Sequence, residues 1–361
     1  MIHRMKASSV ALAVLAVSAL ALTSCASQSS TAASGGGDSD ELTDVTVVLG
    51  WFPNAESGGF YTAQQLGYYE EAGLNVTIEP GGPQVSGTQL VASGRAQFGI
   101  TGSGANEIVQ AQDEGIPLVA VNAIIQESIT GMMVHSDTGI TSFEETDGMT
   151  WVNSAGVLGP EWVKHEYGID FESMQYTGSL ANFIRDPNLV QQGIAPNEPY
   201  VAHKEGDLAV TFLPFSEAGF NPYNTVTYVT QDYLAENREV VEAFVEASNE
   251  GWRDYMGDVD IATQINDYLI SEVDDQLDPE LLWFEWDAQR DYVLTAEGAD
   301  KIGAMTEERW QTLIDQLNTL GMLDDPDVAV TDVADLTVTP DIAPLEEVPA
   351  APEGSFDEIQ F

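Results

Sequence analysis

VTVVLGWFPNAESGGFYTAQQLGYYEEAGLNVTI, residues Val45 to Ile78, reads as one strand–helix–strand unit with an unusual first connection. Val45 to Leu49 is a β-branched, apolar run that predicts a buried strand. A helix is expected from near Ser57, closed by Gly73, because glycine accepts the left-handed turn that ends helices. Val76 to Ile78 begins the next strand. The connection after the first strand carries Trp51, Phe52, Pro53, Asn54 and Glu56. Ligands of open α/β sheets bind outside the carboxyl ends of strands, where such connections lie. An aromatic plane, an amide and a carboxylate there mark a recognition loop.

The start of the chain reads as a secretory leader. Arg4 and Lys6 precede an apolar run, Ser9 to Leu22, and Leu-Thr-Ser-Cys follows, ending at Cys25. The run is shorter than a transmembrane span requires. Leu22 to Cys25 resembles the bacterial lipobox, which implies lipidation of Cys25 and a signal over 1–24. Cys25 is the only cysteine in 361 residues, so its modification would leave no thiol for disulfides, catalysis or metal binding. The stretch 25–42, rich in Ser, Gly, Ala and Asp, reads as a flexible tether. The remaining body is long enough for two domains.

The formal net charge is −48, from 59 acidic and 11 basic residues, which disfavours nucleic acid and anionic lipid as partners. A hydrophobic content of 43% and seven tryptophans argue for a folded body rather than the disorder that high charge can signal. Strand and helix patterns alternate from Asp44 onward, predicting α/β layers. Expected strands include Phe98 to Ile100, Leu118 to Ile125, Thr150 to Val152, Leu208 to Leu213 and Tyr223 to Thr230. Beyond Asp232 the pattern is mostly helical, and the tail over 326–361 is acidic, proline-rich and expected to be extended.

The W-x-P-x-A-x-x-x-G-x-Y pattern (Trp51, Pro53, Ala55, Gly59, Tyr61), followed by GYYEEAGL, resembles the opening of type II periplasmic substrate-binding proteins of ABC importers. The Trp-x-Pro part is most similar to the branch that captures thiamine pyrimidine precursors, with relatives proposed for riboflavin. Pro80-Gly-Gly-Pro-Gln, Gln89-Leu-Val-Ala-Ser-Gly-Arg-Ala-Gln-Phe-Gly, Glu198-Pro199-Tyr200 and Gly303 to Leu323 extend the likeness. It runs from Thr43 to about Asp325 and is loosest from Leu158 to Tyr200. The resemblance implies an α/β, two-lobed fold, each lobe a mixed sheet flanked by helices, with a ligand cleft between them. Lobe one is then expected at 43–136 and 225–325, lobe two at 137–224. The hinge is expected near Val134–Asp137 and Asn221–Thr227.

Four clusters are candidates for the cleft. Trp51, Asn54, Glu56 and Tyr61 come from the first connection, although Tyr61 suits a helix core equally well. Pro83 and Gln84 belong to a turn where backbone can approach a ligand. Ser103, Gly104, Asn106 and Glu107 sit at a helix N-terminus, where free N–H groups can meet an acceptor and where capping alone would also select such residues. Asn153, Gly156, Glu198, Tyr200 and Tyr223 would face them from the second lobe. The candidates include aromatics, carboxylates and amides but no lysine or arginine. Sulfonates and phosphates usually recruit a cation or several helix N-termini. The better fit is a flat, neutral or cationic ligand with several N–H donors.

The expected role is therefore a lipid-anchored, extracytoplasmic, monomeric solute-binding subunit, without cofactor or metal, partnered by a permease and an ATPase. Riboflavin, an alkanesulfonate or nitrate-type anion, and an extracytoplasmic sensor are the alternatives. Catalysis is the weakest reading. His135, His165 and His203 stand alone, no G-x-S-x-G or Walker-type loop occurs, and the cysteine-rich motif of the related pyrimidine synthases has no counterpart.

Overall fold

The computed structural model describes residues 42–82, 84–154, 157–293, 301–343, 348–357 and 359. The expected leader, Cys25 and all of the tether but Leu42 lie outside these residues, as do Pro83 and Gly156. The described chain builds two sheets of five strands flanked by helices. The first runs β2-β1-β3-β10-β4, with β1 Thr43–Val48, β2 Leu74–Glu79, β3 Phe98–Ile100, β4 Leu118–Ile125 and β10 Asn224–Thr230. The second runs β7-β6-β8-β5-β9, with β5 Thr130–His135, β6 Thr150–Asn153, β7 Glu172–Gln175, β8 Leu189–Ile194 and β9 Val210–Pro214.

The two sheets share one plan. In each, a central strand pairs parallel with a neighbour on either side: β1 with β2 and β3, and β6 with β7 and β8. In each, the fourth strand runs antiparallel to both neighbours, β10 against β3 and β4, β5 against β8 and β9. Those antiparallel strands are the ones that enter a sheet directly after the chain crosses between lobes. The crossings are 126–129 and 215–223. Residues 130–135, expected in the first lobe, therefore belong to the second. The Met132–Val134 run is buried, and burial alone does not say which sheet an apolar strand joins. The outgoing crossing lies before the expected hinge at 134–137, and Asn224 already sits in the first sheet.

Helices cover both sheets: α1 Gly58–Gln65, α2 Tyr68–Glu71, α3 Gly87–Ala92, α4 Asn106–Asp113, α5 Gly159–Tyr167, α6 Ala181–Arg185 and α7 Glu198–Gly206. After β10 come α8 Gln231–Glu236, α9 Arg238–Gly257, α10 Val259–Tyr268, α11 Pro279–Val293, α12 Glu307–Thr319 and α13 Val330–Val333. The helix expected from Ser57 to Gly73 is thus two, parted at Gly67, whose φ of 84° no ordinary side chain adopts readily. The expected extended tail contains α13, and Ala334 bridges Ala120 along β4, covering an otherwise open sheet edge.

The first recognition loop is held by close helix packing. Gly58 and Gly59 of α1 lie against the rings of Tyr255 and Trp252 on α9. A Cβ on Gly251 of α9 would stand 2.3 Å from the Gly59 carbonyl oxygen. The glycine of the opening motif is thus a packing residue, which anchors the loop without facing the cleft. Gly251→Ala should lower stability by roughly 1–3 kcal/mol, the usual cost of overpacking. Urea denaturation will read this, and an unchanged midpoint would refute the close-packing account.

Candidate ligand-binding cleft

Strand-end loops of both sheets converge on one cleft of about 1110 Å³. Its first wall comes from 49–57, Gly82, 85–88, 100–107 and β10. Its second comes from Ser154, 157–159, 175–178, 192–198 and the returning crossing. Trp51 and Phe52 are 51% and 53% exposed and meet edge to face at 5.5 Å. Large aromatics are seldom left this bare without a partner to cover them. Phe52, absent from the expected site residues, is seated over Gly82, where a Cβ would come within 2.9 Å of its ring.

Three carboxylates face the cleft, and each meets the cost of burial differently. Glu107, in the first turn of α4, accepts the N–H groups of Gly102 (2.9 Å) and Ser103. Burial raises its pKa and these bonds oppose the rise. Two of the N–H groups expected to greet a ligand are therefore taken by the protein itself. Glu198, opening α7, accepts from the Ile194 N–H (2.7 Å) and the Tyr176 hydroxyl (3.3 Å). Its pKa also rises through burial, against the pull of these donors. Glu56 follows Asn54, whose side chain accepts the Glu56 N–H at 3.1 Å. Its own Oε1 is shielded from solvent and has no hydrogen-bond partner. Burial, followed by the charges of Glu285 and Glu198, pushes Glu56 up to about 8.

Glu285 lies behind the wall, 1% exposed. It accepts from Asn197 Nδ2 (2.7 Å), Asn54 Nδ2 (3.4 Å) and the Ala55 N–H (3.2 Å). Burial raises it to about 7 despite these bonds. Leu282, Glu285, Trp286, Gln289 and Val293 share the buried stripe of α11, so a charge in an apolar helical stripe was the signal for this residue.

Of the expected residues, Trp51, Asn54, Glu56, Ser103, Asn106, Glu107 and Glu198 line the cleft. Others lie elsewhere. Tyr61 is buried in the first lobe opposite Tyr268, since the α1 face that carries it turns to the core. Tyr200 is buried against Phe284, and its hydroxyl donates to Glu280 at 2.9 Å. Tyr223 packs on Trp310, under the Arg309 guanidinium at 3.8 Å, with its hydroxyl accepting the Thr306 N–H. Gly104 takes a φ of 95° and backs onto the Tyr223 carbonyl oxygen. Gln84 is exposed outside the cleft, and Asn153 gives its place to Ser154, whose N–H donates to Gln192 at 2.6 Å. Tyr176, Gln192, Asn197, Phe215, Phe220, Asn224 and Tyr228 line it unexpectedly. Among the described lining residues none is lysine, arginine or histidine. Among the described residues, no group of three or more His, Cys, Asp or Glu is placed to hold a metal, and no helix is long and apolar enough to cross a membrane.

The NMT1/THI5 like family model matches residues 54–261, more than half the chain and all of the first recognition loop from Asn54 onward. The chain belongs to this family. NMT1/THI5-like relatives include a formylaminopyrimidine-binding protein of Halalkalibacterium halodurans, 25% identical over 87% of this chain and 95% of that protein. They also include a 4-amino-5-hydroxymethyl-2-methylpyrimidine phosphate synthase of Saccharomyces cerevisiae, 25% identical over 62% of this chain and 73% of its own length. The periplasmic aliphatic sulphonate-binding protein of Escherichia coli shares the fold, with a TM-score of 0.59 at 16% identity over 87% of this chain and 99% of that one. This NMT1/THI5-like chain thus has the two-lobed α/β fold of periplasmic binding proteins.

The raised carboxylates give a pH signature. Glu56 and Glu285 keep protons in the folded state at pH values where the unfolded chain, with carboxylates near 4.5, has lost them. Their contribution to stability is full below about 4.5 and is lost as pH rises through about 7 and about 8. Glu56→Gln should flatten the fall in unfolding free energy between pH 5 and pH 8 by roughly 3 kcal/mol. Denaturation at several pH values checks this; a slope equal to the parent's would refute it.

Proposed function

We propose that this chain is the extracytoplasmic solute-binding subunit of an ABC importer and captures a small, flat, unphosphorylated heteroaromatic of the aminopyrimidine kind. The observation that carries the reading is the composition of the cleft: Glu56, Glu107 and Glu198 line it with an exposed Trp51–Phe52 pair, and no cation lines it among the described residues. A phosphate or sulfonate entering such a cleft would lose its hydration without gaining a counter-charge. A ring with N–H donors gains aromatic area from Trp51 and Phe52 and acceptors from Glu56 and Glu198. The formylaminopyrimidine-binding relative, aligned over most of both chains, supports the same ligand class.

Capture needs no covalent step. The ligand enters the open cleft, the lobes rotate about residues 126–129 and 215–223, and contacts from both walls stabilise the closed form. The permease would then read that closed face. Leu22-Thr-Ser-Cys25 supports a lipid anchor at Cys25 with the body facing the cell exterior or periplasm. The synthase relatives supply the second reading. Against it stands a cleft whose described lining holds no lysine, histidine or cysteine, so its side chains offer carboxylates as the main acid–base groups.

Calorimetry should find tight binding of 4-amino-5-hydroxymethyl-2-methylpyrimidine, weaker binding of its phosphate ester, and none of an alkanesulfonate. Trp51→Ala should weaken pyrimidine binding by roughly tenfold, the scale of a lost aromatic stack, with thermal stability unchanged. Tight sulfonate binding, or a phosphate ester preferred over the free alcohol, would overturn the charge argument. Riboflavin bound in place of the pyrimidine would keep the role and change the ligand.

A further inference from the structure

Helix α11 is seated on the first lobe. Trp286 Nε1 donates to the Tyr255 carbonyl at 2.9 Å, and Gln289 Nε2 donates to the Ala55 carbonyl at 3.0 Å. The same helix grips the second lobe. Glu280 pairs with Lys204 and accepts from the Tyr200 hydroxyl, and the Phe284 ring stacks on Tyr200 at 5.0 Å. Between these grips sits Glu285, which does not itself line the cleft. Its Oε2 accepts the Ala55 N–H of the first lobe at 3.2 Å, and its Oε1 accepts Asn197 Nδ2 of the second at 2.7 Å. Each bonded residue immediately precedes a carboxylate that faces the cleft, Ala55 before Glu56 and Asn197 before Glu198.

We propose that Glu285 is a positioning residue that fixes the spacing of Glu56 and Glu198 across the cleft by bonding both lobes at once. The proposal rests on the binding role given above. One buried side chain thereby sets the distance over which a ligand's N–H donors must reach. Glu280 and Phe284 hold α7 of the second lobe to the same helix. Above about pH 7, where Glu285 has given up its proton, the Asn197 bond is charge-assisted and partly shielded from water, so its loss should be felt at both ligand-facing carboxylates.

The test inverts the donor and acceptor. Asn197→Asp, measured at pH 9 where Glu285 is ionised, sets a second carboxylate against Glu285 and removes the donor. Asn197→Asp with Glu285→Gln restores one bond, the Gln amide now donating to the Asp while its carbonyl still accepts from Ala55. The measurements are the Kd for 4-amino-5-hydroxymethyl-2-methylpyrimidine and hydrogen exchange of residues 50–57 and 195–200 in the ligand-free full chain. Asn197→Asp should weaken binding by about tenfold or more, the scale of one charge-assisted hydrogen bond. It should also speed exchange in both segments, and the double variant should return both readouts to within about threefold of the parent, since the bond is remade rather than the site merely repacked. A double variant no better than the single one, or a single variant that exchanges as the parent does, overturns the proposal. If the parent binds no pyrimidine, the ligand reading fails, and the exchange measurements alone decide whether the interlobe clamp exists.

Discussion

β10 enters the first sheet between β3 and β4, antiparallel to both, and that pairing forms only after the chain has left the sheet, built a second one and come back. The second lobe is therefore an insertion, tied to the first by two crossings. The loops at the strand ends open onto the space the crossings bound. The recognition loop after β1, the α4 N-terminus after β3 and the start of α7 after β8 meet there because both sheets follow one plan.

Within that space the chemistry is governed by the difficulty of taking carboxylates out of water with no cation beside them. Glu107 is answered by two backbone N–H groups, Glu198 by an N–H and a phenol, and Glu285 by three amide donors. Only Glu56 keeps a shielded oxygen without a partner. A carboxyl that holds its own proton and leaves a shielded oxygen unanswered can both give and accept a hydrogen bond at that point. The exposed Trp51–Phe52 edge offers the same invitation to an apolar face.

Much of the first lobe was legible because its strands are short apolar runs bounded by glycine, and its loop carried unusual side chains. The second lobe was harder to read. β7 is four exposed residues with no alternation, and β8 buries Gln191 where an apolar residue would be expected, so neither announces a strand. β5 lies in the second lobe although 43–136 is expected in the first, because a buried apolar run is equally at home in either sheet. At the site, residues at the carboxyl end of β1 could be placed from topology, since a strand end fixes where the next residues emerge. Tyr61, Tyr200 and Tyr223 could not, because an amphipathic ring on a helix or in a crossing segment suits core and cleft alike, and only packing decides. Asn197 and Tyr176 gave no signal of their own. Glu285 gave one, a charge among Leu282, Trp286 and Val293, that was readable from helical period alone.

Glu285 stands 230 residues after Ala55, whose N–H it accepts. A chain emerging N-terminus first can pair β1 with β2 and β3, and later complete the second sheet, long before α11 exists. Both lobes can thus be assembled while the loop between Trp51 and Glu56 still lacks the carboxylate that fixes it. The carboxylate that bonds both sides of the cleft from behind is supplied by the C-terminal third of the chain. A chain cut short before α11 would carry every lining residue named above and lack the Glu285 bonds to Ala55 and Asn197.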